Sequence, residues 1–261
     1  MRYTWLAATV FCMAMNGVVH VRGAEDEPAS RPGASGASAK RTALQEALAD
    51  FNPLIGEWRG IGQPVRNSNK DSWKESAAWV WELKSDQAAL KYTVSEGKLL
   101  RSALLTWDPT AREFELQATL PDESTRKYRG KLSGNKLTVQ TVPDDQGREH
   151  QIVITQLNEK RTLVLFQTKG QGQTQFNRVA EVGYTREGTK LAEEGVGGPE
   201  CIVTGGRGTM SIVYKGKTYW VCCSGCRDAF NDDPEGIIAQ AAERAAKKKA
   251  AGTKSADKPK S

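Results

Sequence analysis

The sequence predicts a mainly β protein: an antiparallel up-and-down barrel of about 8–10 strands, then a small hairpin-plus-helix segment carrying cysteines. Three observations predict it. From Leu54 to about Arg186, apolar and polar residues alternate with a period of two, which sets one side-chain group on one face of a strand. Turn-forming residues break the alternation at short intervals, and short intervals mean hairpins. Four of the five cysteines lie beyond residue 200.

The chain opens with Met1-Arg2, an apolar run from Trp5 to Met15, and small residues at Gly23-Ala24 before Glu25. That is the layout of a signal peptide over 1–24, because the run is shorter than the roughly 20 residues a spanning helix needs. Export to a periplasm or the outside is the expectation. Residues 25–41 hold Glu, Ser, Pro, Gly and Ala with few large apolar side chains and read as a disordered linker. Thr42 to Phe51 can form a short helix with Leu44, Leu48 and Phe51 on one face, ended by Pro53.

The barrel is expected over 42–190. Trp73, Ala77, Trp79, Trp81 and Leu83 share a face, as do Leu90, Tyr92 and Val94, and then Phe114, Leu116, Ala118 and Leu120. Leu137 with Val139, and Ile152 with Ile154, repeat the pattern. Breaks fall at Glu96-Gly97, Asp108-Pro109, Pro121-Asp122, Gly134-Asn135, Asp144-Asp145, Asn158-Glu159 and Lys169-Gly170. An open meander of this many strands exposes two edges, and closure into a barrel removes both; a two-sheet sandwich is the alternative. Trp79, Trp81, Tyr92, Trp107 and Phe114 either line a cavity for a small hydrophobic molecule or fill the barrel as its core.

Gly195 to Pro199 reads as a hinge over 191–200. The cysteine segment follows at 201–240 and a basic disordered tail at 241–261. The net charge is +6, but the tail alone carries seven Lys/Arg against Glu243 and Asp257, so residues 25–240 are close to neutral. Basicity confined to a tail argues against a folded, specific nucleic-acid face and limits membrane contact to that tail.

In the cysteine segment, Ser211 to Tyr214, the turn Lys215-Gly216-Lys217, and Thr218 to Val221 read as a hairpin. Arg227 to Phe230 starts a helix that returns Phe230 to the hairpin. Cys201, Cys222, Cys223 and Cys226 surround that junction. Clustered thiolates favour Zn²⁺ or Cu(I), and a hairpin-to-helix junction gathers ligands distant in sequence. A helix N-terminus also favours the thiolate of Cys226. Exported proteins meet oxidising conditions, so structural disulfides are an alternative, as is thiol-disulfide chemistry at Cys223-Ser-Gly-Cys226.

Two resemblances attach to these residues. Gly56-Glu57-Trp58, a Gly-x-Trp on a first strand after a short helix, resembles the lipocalin (calycin) pattern. That resemblance implies that Trp58 closes one barrel end beneath an arginine of the last strand, with Arg178 and Arg186 as candidates. Cys201 with Val203, Tyr214-x-Gly216-Lys217, Tyr219-Trp220, Cys222-x3-Cys226, Phe230 and Pro234 together resemble the YHS/TRASH domains. The resemblance implies a soft or borderline metal held by Cys201, Cys222 and Cys226. Thr204 stands where many relatives have a further Cys, leaving Cys223, water or a partner as the fourth ligand.

No catalytic constellation is visible: His20 lies in the signal, His150 is alone near a turn, and neither pairs with a nucleophile. Gly205-Gly206-Arg207-Gly208-Thr209 lacks the Gly-Lys-Ser/Thr of a phosphate loop. These absences favour a binding protein over an enzyme.

Overall fold

The computed structural model describes residues 32–188 and 198–255. The expected signal peptide, residues 25–31 of the expected linker, the last two residues of the expected barrel span, residues 191–197 of the expected hinge and the last six residues of the tail lie outside them. Among the described residues, no helix is long and apolar enough to cross a membrane.

Ten antiparallel strands close into a barrel: β1 (Gly56–Gln63), β2 (Trp73–Leu83), β3 (Ala88–Ser95), β4 (Ser102–Asp108), β5 (Glu113–Thr119), β6 (Thr125–Ser133), β7 (Lys136–Gln140), β8 (Glu149–Asn158), β9 (Arg161–Lys169) and β10 (Asn177–Arg186). Each pairs with its neighbours in sequence, and β1 closes on β10 with Trp58 opposite Arg186. The alternation translates directly into burial: along β2, Ala77, Trp79 and Trp81 are buried with Glu75, and Lys74 and Ser76 face out. Leu90, Leu105, Leu116, Leu137, Val139, Ile152 and Val182 complete the interior.

One end of the barrel is closed by the chain that precedes it. Helix α1 (Pro32–Ala47) leads into a 3-10 helix, Ala49–Leu54, that buries Phe51 and Leu54, with Phe51 edge-on to Phe114 of β5. Composition suggests a linker through residue 41 and a helix only from Thr42. The helix instead starts ten residues earlier, and its Gln45 side chain donates to the Val203 carbonyl at 2.6 Å. Contacts with residues about 160 positions away are invisible to local composition. Pro53 sits inside the 3-10 turn, where its missing N–H costs little.

Arg186 lies over the Trp58 ring, 4.3 Å from its centroid, and donates to the carbonyls of Ile55 (2.7 Å), Pro53 and Glu159 (2.7 Å). The Trp58 indole N–H in turn donates to the Leu54 carbonyl at 2.7 Å. Gly56 passes beneath this guanidinium with φ +126°, and a Cβ there would stand 2.7 Å from an Arg186 nitrogen. Arg178 lies elsewhere, bonded to the Gln63 and Pro64 carbonyls and facing Glu181.

After the barrel come a hairpin, β11 (Met210–Tyr214) and β12 (Lys217–Val221), and two helices, α2 (Ser224–Asp232) and α3 (Pro234–Ser255). Residues 241–255, expected as a disordered tail, continue α3. Pro234 suits a first helical position, Asp233 accepts the Gly236 N–H at 3.0 Å, Ile237 is buried, and Ala, Lys and Gln propagate the helix.

The hairpin and helices do not stand apart from the barrel. Strand β1 begins at Gly56, opposite Trp79, so residues 80–83 of β2 have no strand partner on that side. The N-terminus of α2 covers this bare stretch, and Val221, Cys226 and Phe230 join the same buried cluster as the barrel interior.

Candidate metal centre

The hairpin turns on Lys215 (φ +47°) and Gly216 (φ +73°), a two-residue loop whose positive φ values match the twist of the flanking strands. Phe230, one helix face beyond Cys226, packs edge-on to Tyr214 (5.9 Å between centroids) and tilted to Tyr219 (5.3 Å). That apolar contact fixes α2 against β12, so Cys222 at the strand end and Cys226 in the first helical turn face each other, sulfurs 3.4 Å apart.

Cys201 arrives from the preceding loop. Its N–H donates to the Gly206 carbonyl (2.6 Å) and its carbonyl accepts from Gly205, whose φ of +73° closes the turn. The next residue, Ile202, donates to the Trp220 carbonyl at 2.8 Å, tying the loop to β12. The sulfurs of Cys201, Cys222 and Cys226 all lie within 4.8 Å of one another, and all three residues are buried. A tetrahedral ion with bonds of about 2.3 Å to sulfur spaces its ligands about 3.8 Å apart, so the three thiols could hold a metal ion after adjustments of at most about 1 Å.

Cys223 is placed differently. It is the N-cap residue of α2, and its sulfur lies 3.9 Å from that of Cys222 but accepts the main-chain N–H of Trp81 at 3.3 Å. The Thr204 hydroxyl lies 3.6 Å from the Cys222 sulfur, beside the three-cysteine group. The four cysteines of this segment are free thiols.

Their acidities diverge because they share protons. Hydrogen bonds from Cys222 and then Cys226 push Cys201 down, and the same two donors, together with the Trp81 N–H, push Cys223 down. Cys222 is pushed up because its one thiol proton is held by hydrogen bonding with Cys201 and Cys223. Cys226 is pushed up, first by burial and then by its sulfur neighbours. The helix N-terminus therefore does not by itself make Cys226 the thiolate; taking it out of water outweighs that dipole. A cation bound among the sulfurs supplies the charge that burial withholds.

The barrel supports this site through residues that the cysteine spacing does not reveal. The Trp81 indole donates to Asn52 (3.2 Å), and Asn52 donates to the Thr204 carbonyl (3.1 Å). Arg244 of α3 donates to the Ile202 carbonyl. Gly225 lies so close to the barrel that an added Cβ would stand 1.7 Å from the Trp81 carbonyl oxygen. A glycine inside the first turn of a helix is the one sequence signal for that approach. A groove of about 730 Å³ between β1–β2 and the hairpin, bordered by Glu57, Arg207 and Met210, reaches Cys222 and Cys223 from solvent.

Four of the five aromatics expected at a ligand cavity pack in two pairs. Trp79 stacks on Tyr92 at 4.5 Å, Trp107 tilts against Phe114 at 4.8 Å, and Phe51 meets Phe114 edge-on at 5.1 Å. Trp81 is buried beneath the cysteine segment and Trp107 is half-buried. Next to them is a polar network missed by pattern reading. Tyr184 donates to Glu75, Tyr92 therefore donates to the Tyr184 hydroxyl (2.5 Å), and the Trp73 indole donates to the second Glu75 oxygen (2.5 Å). Its sequence signal is a carboxylate at an inward position of β2.

No protein-family model and no curated protein matches the chain. Among solved structures, the chain is similar to the S-type phycobiliprotein lyase CPES from Guillardia theta, with 11% identity, 54% of this chain and 92% of that chain covered, and a TM-score of 0.29.

Proposed function

We propose that this is an exported metal-binding protein whose YHS/TRASH-like C-terminal segment holds Zn²⁺ or Cu(I) through Cys201, Cys222 and Cys226. The observation that carries the proposal is the buried convergence of those three sulfurs within 4.8 Å. Thiolate donors select soft or borderline ions, and three of them leave one position of a tetrahedron for water or a partner's ligand. The groove at Cys222 and Cys223 is the route by which such a ligand or the ion itself arrives. The barrel is the scaffold: it positions the Cys223 end of α2 through Trp81 and the Cys201 loop through Asn52 and Gln45. Cys223 serves as the acceptor that docks the segment rather than as a ligand.

Native mass spectrometry of the reduced protein with Zn²⁺ and with Cu(I) tests this. One ion per chain is expected, lost in Cys201→Ser, Cys222→Ser and Cys226→Ser and kept in Cys223→Ser. Failure of the unmutated protein to bind either ion defeats the proposal. Reductase turnover that depends on Cys223 would move the assignment to thiol-disulfide chemistry.

A further inference from the structure

At the barrel end opposite Trp58, polar side chains occupy positions where the strand pattern calls for apolar ones. On β6, Arg126 precedes the buried Tyr128 by two residues and shares its inward face. On β8, His150 stands in the same relation to the buried Ile152, and it pairs across to Thr168 of β9. Arg126, His150 and Thr168 line a cleft of about 530 Å³ at this mouth, within the size range of small-ligand sites.

Two of these groups lack the partners their placement requires. The His150 Nε2 atom is shielded from solvent and has no hydrogen-bond partner. An unpaired buried polar atom costs about 1–3 kcal/mol, so such atoms are rare unless a ligand or water completes them. Arg126 is half-buried, and its hydrogen bond is a long one, 3.5 Å, to the Tyr128 hydroxyl. The nearby Asp122 carboxylate is exposed and turned to Ser124, accepting both its N–H and its hydroxyl. Lys98 and Arg148 add positive charge at the rim, Lys98 lying over Trp73 and Arg148 paired with Asp144. The remaining wall is apolar, with Leu99, Leu120 and Val179. Below it, Ala118, Tyr128 and Ile152 fill the barrel, so a guest stays in the mouth.

We infer that this mouth binds an organic carboxylate with an apolar body, its head taken by Arg126 and the Nε2–H of His150 and its body lying on Leu99, Leu120 and Val179. A guanidinium fork matches a carboxylate, and Arg126, which feels the exposed Asp122 carboxylate but makes no direct ion pair with it, has its fork open to one. Burial, with Arg126 and Arg148 nearby, keeps His150 below the usual histidine range, so its imidazole is neutral and free to place its single proton on Nε2. The site is separate from the cysteines and stands whether or not they bind metal.

Isothermal titration calorimetry of the purified protein with decanoate, decanol and inorganic phosphate tests it. Saturable decanoate binding is expected, weakened at least about tenfold in Arg126→Gln and in His150→Gln. Arg126→Lys should recover part of the loss. Arg129→Gln, which points outward from the same strand, should bind as the unmutated protein does. Circular dichroism melts confirm that each variant is folded, and His150→Gln carries the test if Arg126→Gln is not. Absence of decanoate binding, equal binding of decanol, displacement by phosphate at matched concentration, or unchanged affinity in both variants would each overturn the inference.

Discussion

The main-chain N–H of Trp81, on a barrel strand, donates to the sulfur of Cys223, on the cysteine segment, across 3.3 Å. On the same residue, the carbonyl oxygen abuts Gly225 so closely that no side chain fits. Gly225→Ala should therefore push α2 off β2 and lower stability by about 1–3 kcal/mol, the usual cost of overpacking. Faster amide exchange confined to residues 201–240 would show the segment lifting; an unchanged exchange pattern would contradict the close approach.

Thr204 is the lever on the proposed metal site. Its hydroxyl lies 3.6 Å from the Cys222 sulfur, and a thiol there would give the ion a fourth sulfur. Thr204→Cys is expected to tighten Zn²⁺ at least about tenfold and to slow its removal by a chelator. Competition against a chromophoric chelator measures both. Unaltered affinity would mean that Thr204 does not face the ion.

At the closed end, Arg186→Ala removes one cation–π contact and the donors to three carbonyls. A loss of about 2–4 kcal/mol is expected in a denaturant titration. Arg186→Lys keeps the charge but not the fork, and should recover only part of it. Full recovery would reduce the role of Arg186 to charge alone.

Inside the barrel, Tyr184 is the middle of a chain: it accepts from Tyr92 and donates to Glu75. Tyr184→Phe strands both neighbours and should cost about 1–3 kcal/mol. Tyr92→Phe removes one donor at the end of the chain and should cost less. The double variant should fall short of the sum of the two, because the groups share one network.

His150 gives stability a pH dependence. Burial, with Arg126 and Arg148, holds its folded-state acidity below the ordinary histidine value of 6.5, against a smaller opposing pull from Asp144. Above pH 6.5 both folded and unfolded states are neutral there, and nothing is contributed. As pH falls below 6.5 the unfolded chain takes the proton first, so stability declines until the folded state is protonated too. Denaturation between pH 7.5 and 5 should show this slope, and His150→Gln should flatten it. A His150 resonance titrating above 6.5 by NMR would reverse the sign and refute the account.

Much of this architecture was legible in the chain, for identifiable reasons. Trp79, Trp81, Tyr92 and Leu116 are spaced by strand geometry alone, so their inward placement follows from period two and the closure from the absence of a tolerable edge. Cys222 and Cys226 could be read together because they stand four positions apart across a single turn. What escaped were pairings between distant segments: Asn52 with Trp81 and Thr204, Gln45 with Val203, Ser38 with Gln240 at 3.2 Å. Residues 32–41 are Ser-, Gly- and Ala-rich, and nothing local distinguishes a helix pinned by such contacts from a loose tether. Arg126 and His150 break the alternation at the open mouth, and a polar break near a turn reads as the end of a strand.

The shortness of β1 has a further consequence. Residues 80–83 present an uncapped strand border, the kind of template on which a second chain can add itself. With α2 seated there, the border is shielded. A chain cut before Cys201 would bare it beside Val80 and Leu83, and such a truncated protein should self-associate edge to edge where the intact one stays apart. The cysteine segment is thus also a guard against misassembly, and a metal ion that tightens it would keep the protein soluble as well as loaded.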